Sequence, residues 1–403
     1  MQTCLVGGAV RDALLGLPIT ERDWVVVGAT PEQMLAQGFR QVGKDFPVFL
    51  HPKTQEEYAL ARTERKQGQG YHGFSCFSDP SVTLEEDLLR RDLTINAMAQ
   101  CVDGIIVDPF NGQADLANRV LRHVSPAFSE DPLRVLRVAR FAAKLAQFHF
   151  QIADETRLLM KQMVISGELA SLTPERVWME TVKAFATQSP QLYFEVLHQI
   201  GALQQLMPEV ARLFDVPQEA KWHPEGDAGT HTLMVLQAIR RSTDDAACLW
   251  AALCHDLGKG VTPESLLPKH PEHELNGVPL VLALCSRYKV PAVVQELSVL
   301  ACRWHGDIHK AQELSSEQRL AVLDGCDVWR KPERFKQLLL VCQADSCGRL
   351  GFELEPYPQL VLWQSWLASL SQVSAQGFIE QGLKGVDIKR AIAQQRLMLL
   401  NAL

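Results

Sequence analysis

The sequence predicts an α+β head followed by an all-α remainder. Two observations lead there. Short β-rich runs crowd the first ~110 residues, and beyond about residue 115 apolar side chains recur at helical spacing. In the head, strands are expected at Thr3–Val6, Trp24–Val27, Pro47–His51 and Glu57–Ala61. A hairpin follows, with Cys101-Val102 and Ile105–Val107 joined by Asp103-Gly104, a pair that accepts positive φ. Helical spacing runs through Leu133–Leu145, Arg157–Met163, Val177–Ala186, Leu233–Ile239 and Leu249–Leu257. It continues in Leu320–Leu323, Phe335–Val341 and Trp363–Leu370. The stretch Val216–Gly229, rich in Pro, Gly and charge, reads as a linker.

The 403 residues are 47% hydrophobic and 22% charged, a globular balance that excludes disordered, collagenous and small disulfide-stapled classes. No apolar stretch approaches the roughly 20 residues of a membrane helix. The start lacks the charged and apolar regions of a secretory signal. Ten scattered cysteines without a CxxC pair read as buried thiols in a reducing compartment, so the expected location is cytoplasmic, with no membrane partner. Net charge is −7, yet residues 119–144 carry six basic side chains against Glu130 and Asp131. That local excess points to an anionic ligand.

Leu5-Val6-Gly7-Gly8-Ala9-Val10-Arg11-Asp12 reads as a strand, a Gly-Gly turn and a helix, a geometry that lets backbone N–H groups approach a phosphate. Arg11 would add a charge-assisted fork. Glu21 and Asp23, two residues apart at a strand entry, would share one face and could hold Mg²⁺. Ser129-Glu130-Asp131-Pro132 reads as a helix start, placing Glu130, Arg134 and Arg137 on one stripe. A GxGxxG match at Gly68, Gly70 and Gly73 lacks the strand-to-helix context of a dinucleotide fold and reads as a loop with basic residues at its root.

Taken in order, Gly7-Gly8-x-x-Arg11-Asp12, Glu21-x-Asp23, Arg90-Arg91-Asp92-Leu93-Thr94-Ile95-Asn96-Ala97 and Glu130-Asp131-x-x-Arg134 resemble the class II CCA-adding tRNA nucleotidyltransferases. These belong to the polymerase-β-like nucleotidyltransferase superfamily. The likeness spans residues 1–180 and includes Asp108-Pro109-Phe110-Asn111-Gly112 and Leu172-Thr173-Pro174-Glu175-Arg176. It implies a head with a small mixed sheet, Mg²⁺ at the catalytic pair Glu21 and Asp23, and nucleotide contacts from Gly8, Arg11, Arg91, Arg137 and Arg140. It also implies that Asp131 and Arg134 select the base, and that the loop at 62–73 takes part in switching from C to A. Cytosine and adenine both present an exocyclic amine beside a ring-nitrogen acceptor; uracil and guanine present the reverse order. A carboxylate beside a guanidinium therefore matches the first pair and strands buried polar groups against the second. The family pattern has Asp-x-Asp where this chain has Glu21, whose extra methylene moves the carboxylate by about an ångström. Activity is expected to survive that change.

In the second half, His231 opens a helical run and Cys254-His255-Asp256-Leu257-Gly258-Lys259 closes another. Imidazoles and carboxylates on neighbouring helices suit a divalent transition metal, with His270, His273, His305, His309 and Asp345 as further candidates. The His…His-Asp pattern resembles the HD superfamily of metal-dependent phosphohydrolases, which carries ligand roles to His231, His255 and Asp256, with Asp345 as the fourth. The bacterial CCA enzymes carrying this domain resemble the chain to about residue 390. They imply 2′,3′-cyclic phosphodiesterase, 2′-nucleotidase and phosphatase activities favoured by Ni²⁺. The whole reads as a bifunctional tRNA-repair enzyme using CTP, ATP and tRNA, monomeric or homodimeric. Its expected parts are a nucleotidyltransferase head at 1–140, an all-α neck and body at 141–220, an all-α HD domain at 221–350 and a helical tail at 351–403 without an assigned role. A poly(A) polymerase is the nearest alternative; an HD hydrolase with a nucleotide-sensing head and a non-catalytic RNA scaffold are the others.

Overall fold

The computed structural model describes residues 1–42, 48–66 and 74–403. The glycines at 68, 70 and 73 lie outside the described residues. The chain forms two compact units, one from Met1–Glu180 with Val196–Leu206, the other from Thr181–Glu195 with Met207–Leu403.

The first unit is built on a seven-stranded mixed sheet. Its strands are β1 (Gln2–Val6), β2 (Asp23–Val27), β3 (Arg40–Val42), β4 (Val48–Leu50) and β5 (Glu57–Leu60), then β8 (Ala99–Cys101) and β9 (Ile106–Val107). The strands β6 (Thr63–Lys66) and β7 (Phe74–Phe77) form a separate hairpin. The order is β3-β4-β5-β2-β1-β8-β9, with β2 and β5 parallel and the other pairs antiparallel. Alternation sorts the side chains to two faces. Val6 and Val25 pack with Leu84 and Leu88 of helix Leu84–Leu89, whereas Leu5 packs with Ala9 and Val10 of helix Gly8–Leu14. On that second face Val26 and Leu60 meet Met34 of helix Pro31–Ala36. The Asp103-Gly104 turn between β8 and β9 has Gly104 at φ +81°, as the turn pair required.

Two expectations for this unit need correction. Cys4 and Cys101 are not free thiols: they face each other across β1 and β8 and form a disulfide. Their separation of 97 residues hid a pairing that only sheet register creates. Six other cysteines are buried thiols, as expected, and Cys347 is half-buried. The helix expected to start at Ser129 begins instead at Leu133, after a 3₁₀ turn over Pro126–Glu130. Ser129 bonds back to the Pro126 carbonyl, and the Asp131 carboxylate accepts from Leu133 N–H. Glu130 is therefore not on the helical stripe that carries Arg134 and Arg137.

The second unit is all helix. Helices Ala228–Arg240, Ala246–Cys254, His273–Arg287, Ala292–His309 and Pro332–Cys347 surround its core. Asp227 and Asp245 cap the first two by accepting from Thr230 and Ala247 N–H. The stretch read as a linker folds into this unit: Gln218 N–H bonds Gly226 O, and Glu225 reaches His231. Among the described residues, no helix is long and apolar enough to cross a membrane.

Candidate active sites

Asp23 opens β2 directly opposite Val6, the last residue of β1, so the acid and the glycine turn emerge at one sheet edge. Gly7 sits at φ +70°, and a Cβ there would lie 2.9 Å from Arg91 Nη1. At Gly8 a Cβ would lie 3.3 Å from Arg11 Nη2. The two glycines thus let both guanidinium groups lie over the turn. Glu21 is exposed and precedes the strand rather than sharing it. Burial raises the Asp23 carboxyl above the usual range; Arg91 opposes, Glu21 adds to the rise, and Arg137 opposes again. A carboxylate whose charge is disfavoured by burial and by a second carboxylate is a donor set a divalent cation fits.

The arginines are held in place by acids. Asp87, fully buried, takes Arg90 at 2.7 Å and Arg91 at 3.2 Å. Asp92 takes Arg137 at 2.7 Å and also accepts from Asn96 Nδ2 and Leu93 N–H. Burial works against its charge, but Arg137 and these bonds hold its carboxyl far below the usual range. Glu180 takes Arg140 at 2.6 Å. Arg11, only 2% exposed, bonds Asp12 and Asn96. Arg11, Arg137 and Arg140 all lie against the Phe141 ring, at 5.0, 5.7 and 4.5 Å from its centroid. One aromatic ring thus gathers three like charges. The sequence reading placed Asp92 and Asn96 in a motif without a role, and it missed Asp87, Phe141 and Glu180. Buried acids beside arginines in sequence, as in 87–92, are the signal that was there to be used.

Arg134 N–H donates to the Asp131 carbonyl at 3.0 Å, while the two side chains are held by other groups. Arg134 donates to the carbonyls of Ala127, at 2.8 Å, and Arg90. Asp131 is bound by Arg176 Nη2 at 2.9 and 3.2 Å. Arg176 was noticed only as part of a motif; the structure makes it the residue that fixes the Asp131 carboxylate.

The second unit brings His231, His255, Asp256 and Asp345 together. His231 Nε2 is 2.9 Å from Asp345 Oδ1, and His255 Nε2 is 3.2 Å from Asp256 Oδ2 and 3.6 Å from Asp345 Oδ1. His255 Nδ1 donates to Ala252 O at 2.7 Å, which leaves its buried Nε2 with a lone pair and no hydrogen-bond partner. His273 and His305 were only further candidates; they form a second cluster on the far oxygen of Asp256, at 3.4 and 3.5 Å. Each spends Nδ1 on a backbone carbonyl, so two Nε2 lone pairs meet at 3.1 Å, beside an Asp256 Oδ1 that lacks a hydrogen-bond partner. Converging lone pairs of this kind call for a cation. Both clusters, His231-His255-Asp345 and Asp256-His273-His305, keep their ligand atoms within 4.8 Å of one another.

A proton competes with a cation for that His255 lone pair: burial opposes charge on the ring, but Asp256 and Asp345 outweigh it and raise its pKa to about 10. Lys259 Nζ lies 2.7 Å from Asp256 and from Gln218 Oε1. Glu225 Oε1 accepts from His223 Nδ1 at 2.9 Å and lies 3.0 Å from His231 Nδ1. His270 is elsewhere, on Thr262 and the Pro217 carbonyl.

The packing at Gly258 makes the double cluster possible. A Cβ there would fall 1.9 Å from His273 O and 2.7 Å from Gly277 N. Only a glycine lets the 3₁₀ turn Leu257–Val261 press against helix His273–Arg287 and set His273 beside Asp256.

Comparison with known proteins fits this pair of centres. Residues 3–122 match the family described as poly A polymerase head domain. Residues 149–214 match the probable RNA and SrmB-binding site of polymerase A, and residues 228–349 match the HD domain. A multifunctional CCA protein of Thioalkalivibrio sulfidiphilus (strain HL-EbGR7) is 56% identical over 403 residues, covering 100% of this chain and 98% of its own. This chain belongs to the multifunctional CCA protein family. A second member, from Actinobacillus pleuropneumoniae serotype 5b (strain L20), is 56% identical over 401 residues, 98% of each chain. A solved CCA-adding enzyme in complex with ATP has the same fold at TM-score 0.67 and 20% identity, over 99% of this chain and 86% of that one. So does the Bacillus stearothermophilus CCA-adding enzyme in complex with CTP, at 0.65 and 24%, over 99% and 89%. A nucleotidyltransferase head and an HD domain thus occupy one chain, and both imply divalent metals.

Proposed function

We propose that this chain rebuilds the CCA end of tRNA from CTP and ATP, and that its HD domain hydrolyses phosphoesters left at damaged RNA 3′ ends. The observation that carries the reading is full-length kinship with multifunctional CCA proteins in a chain whose HD domain gathers a metal donor set. The work divides between a head at 1–140, a neck and body at 141–220 and an HD domain at 221–350, in the cytoplasm where a tRNA substrate puts it.

In the head, Glu21 and Asp23 would hold Mg²⁺, which supplies charge neutralisation for attack of the RNA 3′-hydroxyl on the α-phosphorus and for loss of pyrophosphate. Gly8 leaves room for the triphosphate to approach the turn, and Arg11, Arg91, Arg137 and Arg140 bind it. A guanidinium carries five N–H donors, so each arginine retains some for phosphate while its acid holds the rest. Asp131, fixed by Arg176, accepts from the exocyclic amine of C or A, and Arg134 donates to the ring nitrogen. A mismatch at both positions costs about 1–3 kcal/mol each, enough to reject UTP and GTP. In the HD domain, His231, His255, Asp256 and Asp345 would hold Ni²⁺ or a similar ion, with His273 and His305 available for a second; the ion supplies an acidified water as nucleophile. Lys259 offers its ammonium to a phosphate oxygen at the same place.

The test is incubation of tRNA lacking its 3′ CCA with CTP, ATP and Mg²⁺, followed by sizing of the product. Growth by C, C and A and then arrest is the expected outcome. Unbounded A addition would replace this reading with a poly(A) polymerase, and no growth would remove the transferase altogether.

A further inference from the structure

The tail beyond residue 350, which the sequence left without a role, reaches the histidine cluster. Tyr357 lies just before helix Pro358–Leu370, outside the residues 228–349 that match the HD domain. Its hydroxyl is 2.9 Å from His309 Nδ1, and His309 Nε2 is 2.7 Å from Asp345 Oδ2. The other oxygen of that carboxylate, Oδ1, faces the Nε2 atoms of His231 and His255. The same segment closes the end of helix Ala292–His309: Trp363 Nε1 donates to Ile308 O at 3.0 Å, and Gln359 Nε2 to His309 O at 3.1 Å. Those carbonyls belong to the last turn and have no partner within the helix.

The hydrogen count decides the direction of the relay. The Tyr357 hydroxyl can donate or accept, so Asp345 decides: an acceptor-only carboxylate 2.7 Å from His309 Nε2 takes the ring's hydrogen there, which leaves Nδ1 to accept from the hydroxyl. A neutral imidazole that accepts at Nδ1 carries its hydrogen on Nε2. His309 therefore donates to Asp345, whereas His255, His273 and His305 donate through Nδ1 to backbone carbonyls and turn Nε2 toward the clustered carboxylates. The reverse tautomer at His309 would set a lone pair against the carboxylate. His309 is thus an outer partner of Asp345 and not one more ligand.

We propose that Tyr357 is a positioning residue of the HD centre, fixing the His309 tautomer and through it turning Asp345 Oδ1 toward His231 and His255. This rests on reading the cluster as a metal centre. Loss of an outer partner of this kind weakens metal affinity by about 10–100-fold.

The experiment compares wild type with Tyr357→Phe, which removes one oxygen and keeps the ring. ¹⁵N-histidine NMR of the metal-free proteins reads the tautomer of His309, and calorimetry with Ni²⁺ reads affinity. Wild type should show the hydrogen on Nε2 alone. The variant should show a mixed tautomer and an affinity about 10-fold weaker, with CCA addition unchanged. His309→Gln keeps an N–H donor for Asp345 without a tautomer to fix, so adding Tyr357→Phe to it should cost no further affinity. An unchanged tautomer in Tyr357→Phe, or an equal loss of affinity in the His309→Gln background, would overturn the positioning role. Failure of wild type to bind Ni²⁺ would instead remove the metal reading, while the tautomer comparison would still decide the hydrogen-bond relay.

Discussion

Gly258→Ala is expected to abolish metal-dependent phosphohydrolysis while leaving CCA addition near its wild-type rate. The added Cβ would sit 1.9 Å from His273 O and 2.7 Å from Gly277 N, both main-chain atoms that cannot swing aside. Gly277 is itself closely packed: a Cβ added there would lie 2.4 Å from Cys302 Sγ and 2.9 Å from Gly258 N. The turn Leu257–Val261 and helix His273–Arg287 must therefore separate, and Asp256 and His273 part with them. Overpacking at a buried contact costs about 1–3 kcal/mol, and here the loss falls on ligand geometry as well as on stability. The measurement is hydrolysis of a 2′,3′-cyclic phosphate beside C and A incorporation, with bound metal counted in each preparation. A variant that keeps full metal content and hydrolysis would show that the two clusters do not depend on this contact.

Gly7→Ala should lower nucleotide addition by about 100-fold, equivalent to ~3 kcal/mol of transition-state stabilisation. Two effects combine. The residue sits at φ +70° and ψ −131°, where a side chain costs of order 1–3 kcal/mol. Its Cβ would also displace Arg91, whose Nη1 lies 2.9 Å away. Because Arg91 is held by Asp87, the displacement breaks a buried ion pair as well as a phosphate contact. Steady-state kinetics with CTP should show the loss in both KM and kcat, while hydrolysis by the HD domain is unaffected. A change confined to melting temperature would mean that Gly7 serves the fold alone.

How much of this was legible in the sequence depended on the distance between partners. The strands at Thr3–Val6, Trp24–Val27 and Glu57–Ala61 could be read because alternation and β-branched residues are local signals, and the structure places β1, β2 and β5 there. The helix start at Ser129 could not, because Pro132 and the capping-type residues before it suit a 3₁₀ turn as well as an α-helix. His231, His255, Asp256 and Asp345 were found by their pattern, and the structure gathers them. The second cluster was harder: His273 and His305 owe their position to two glycines in contact, a fact with no trace in spacing. Pairings set by register or tertiary packing were missed for the same reason. Cys4 with Cys101, Asp131 with Arg176 and Tyr357 with His309 each join residues at least 45 positions apart.

The claim at the centre of this account is that one chain carries two chemically independent centres. The most direct test is a crossed assay of Asp23→Asn and Asp256→Asn against wild type, each measured for CCA addition and for cyclic-phosphate hydrolysis. The account predicts that Asp23→Asn loses addition and keeps hydrolysis, and that Asp256→Asn does the opposite. Loss of both activities in either variant, or survival of addition in Asp23→Asn, would contradict it.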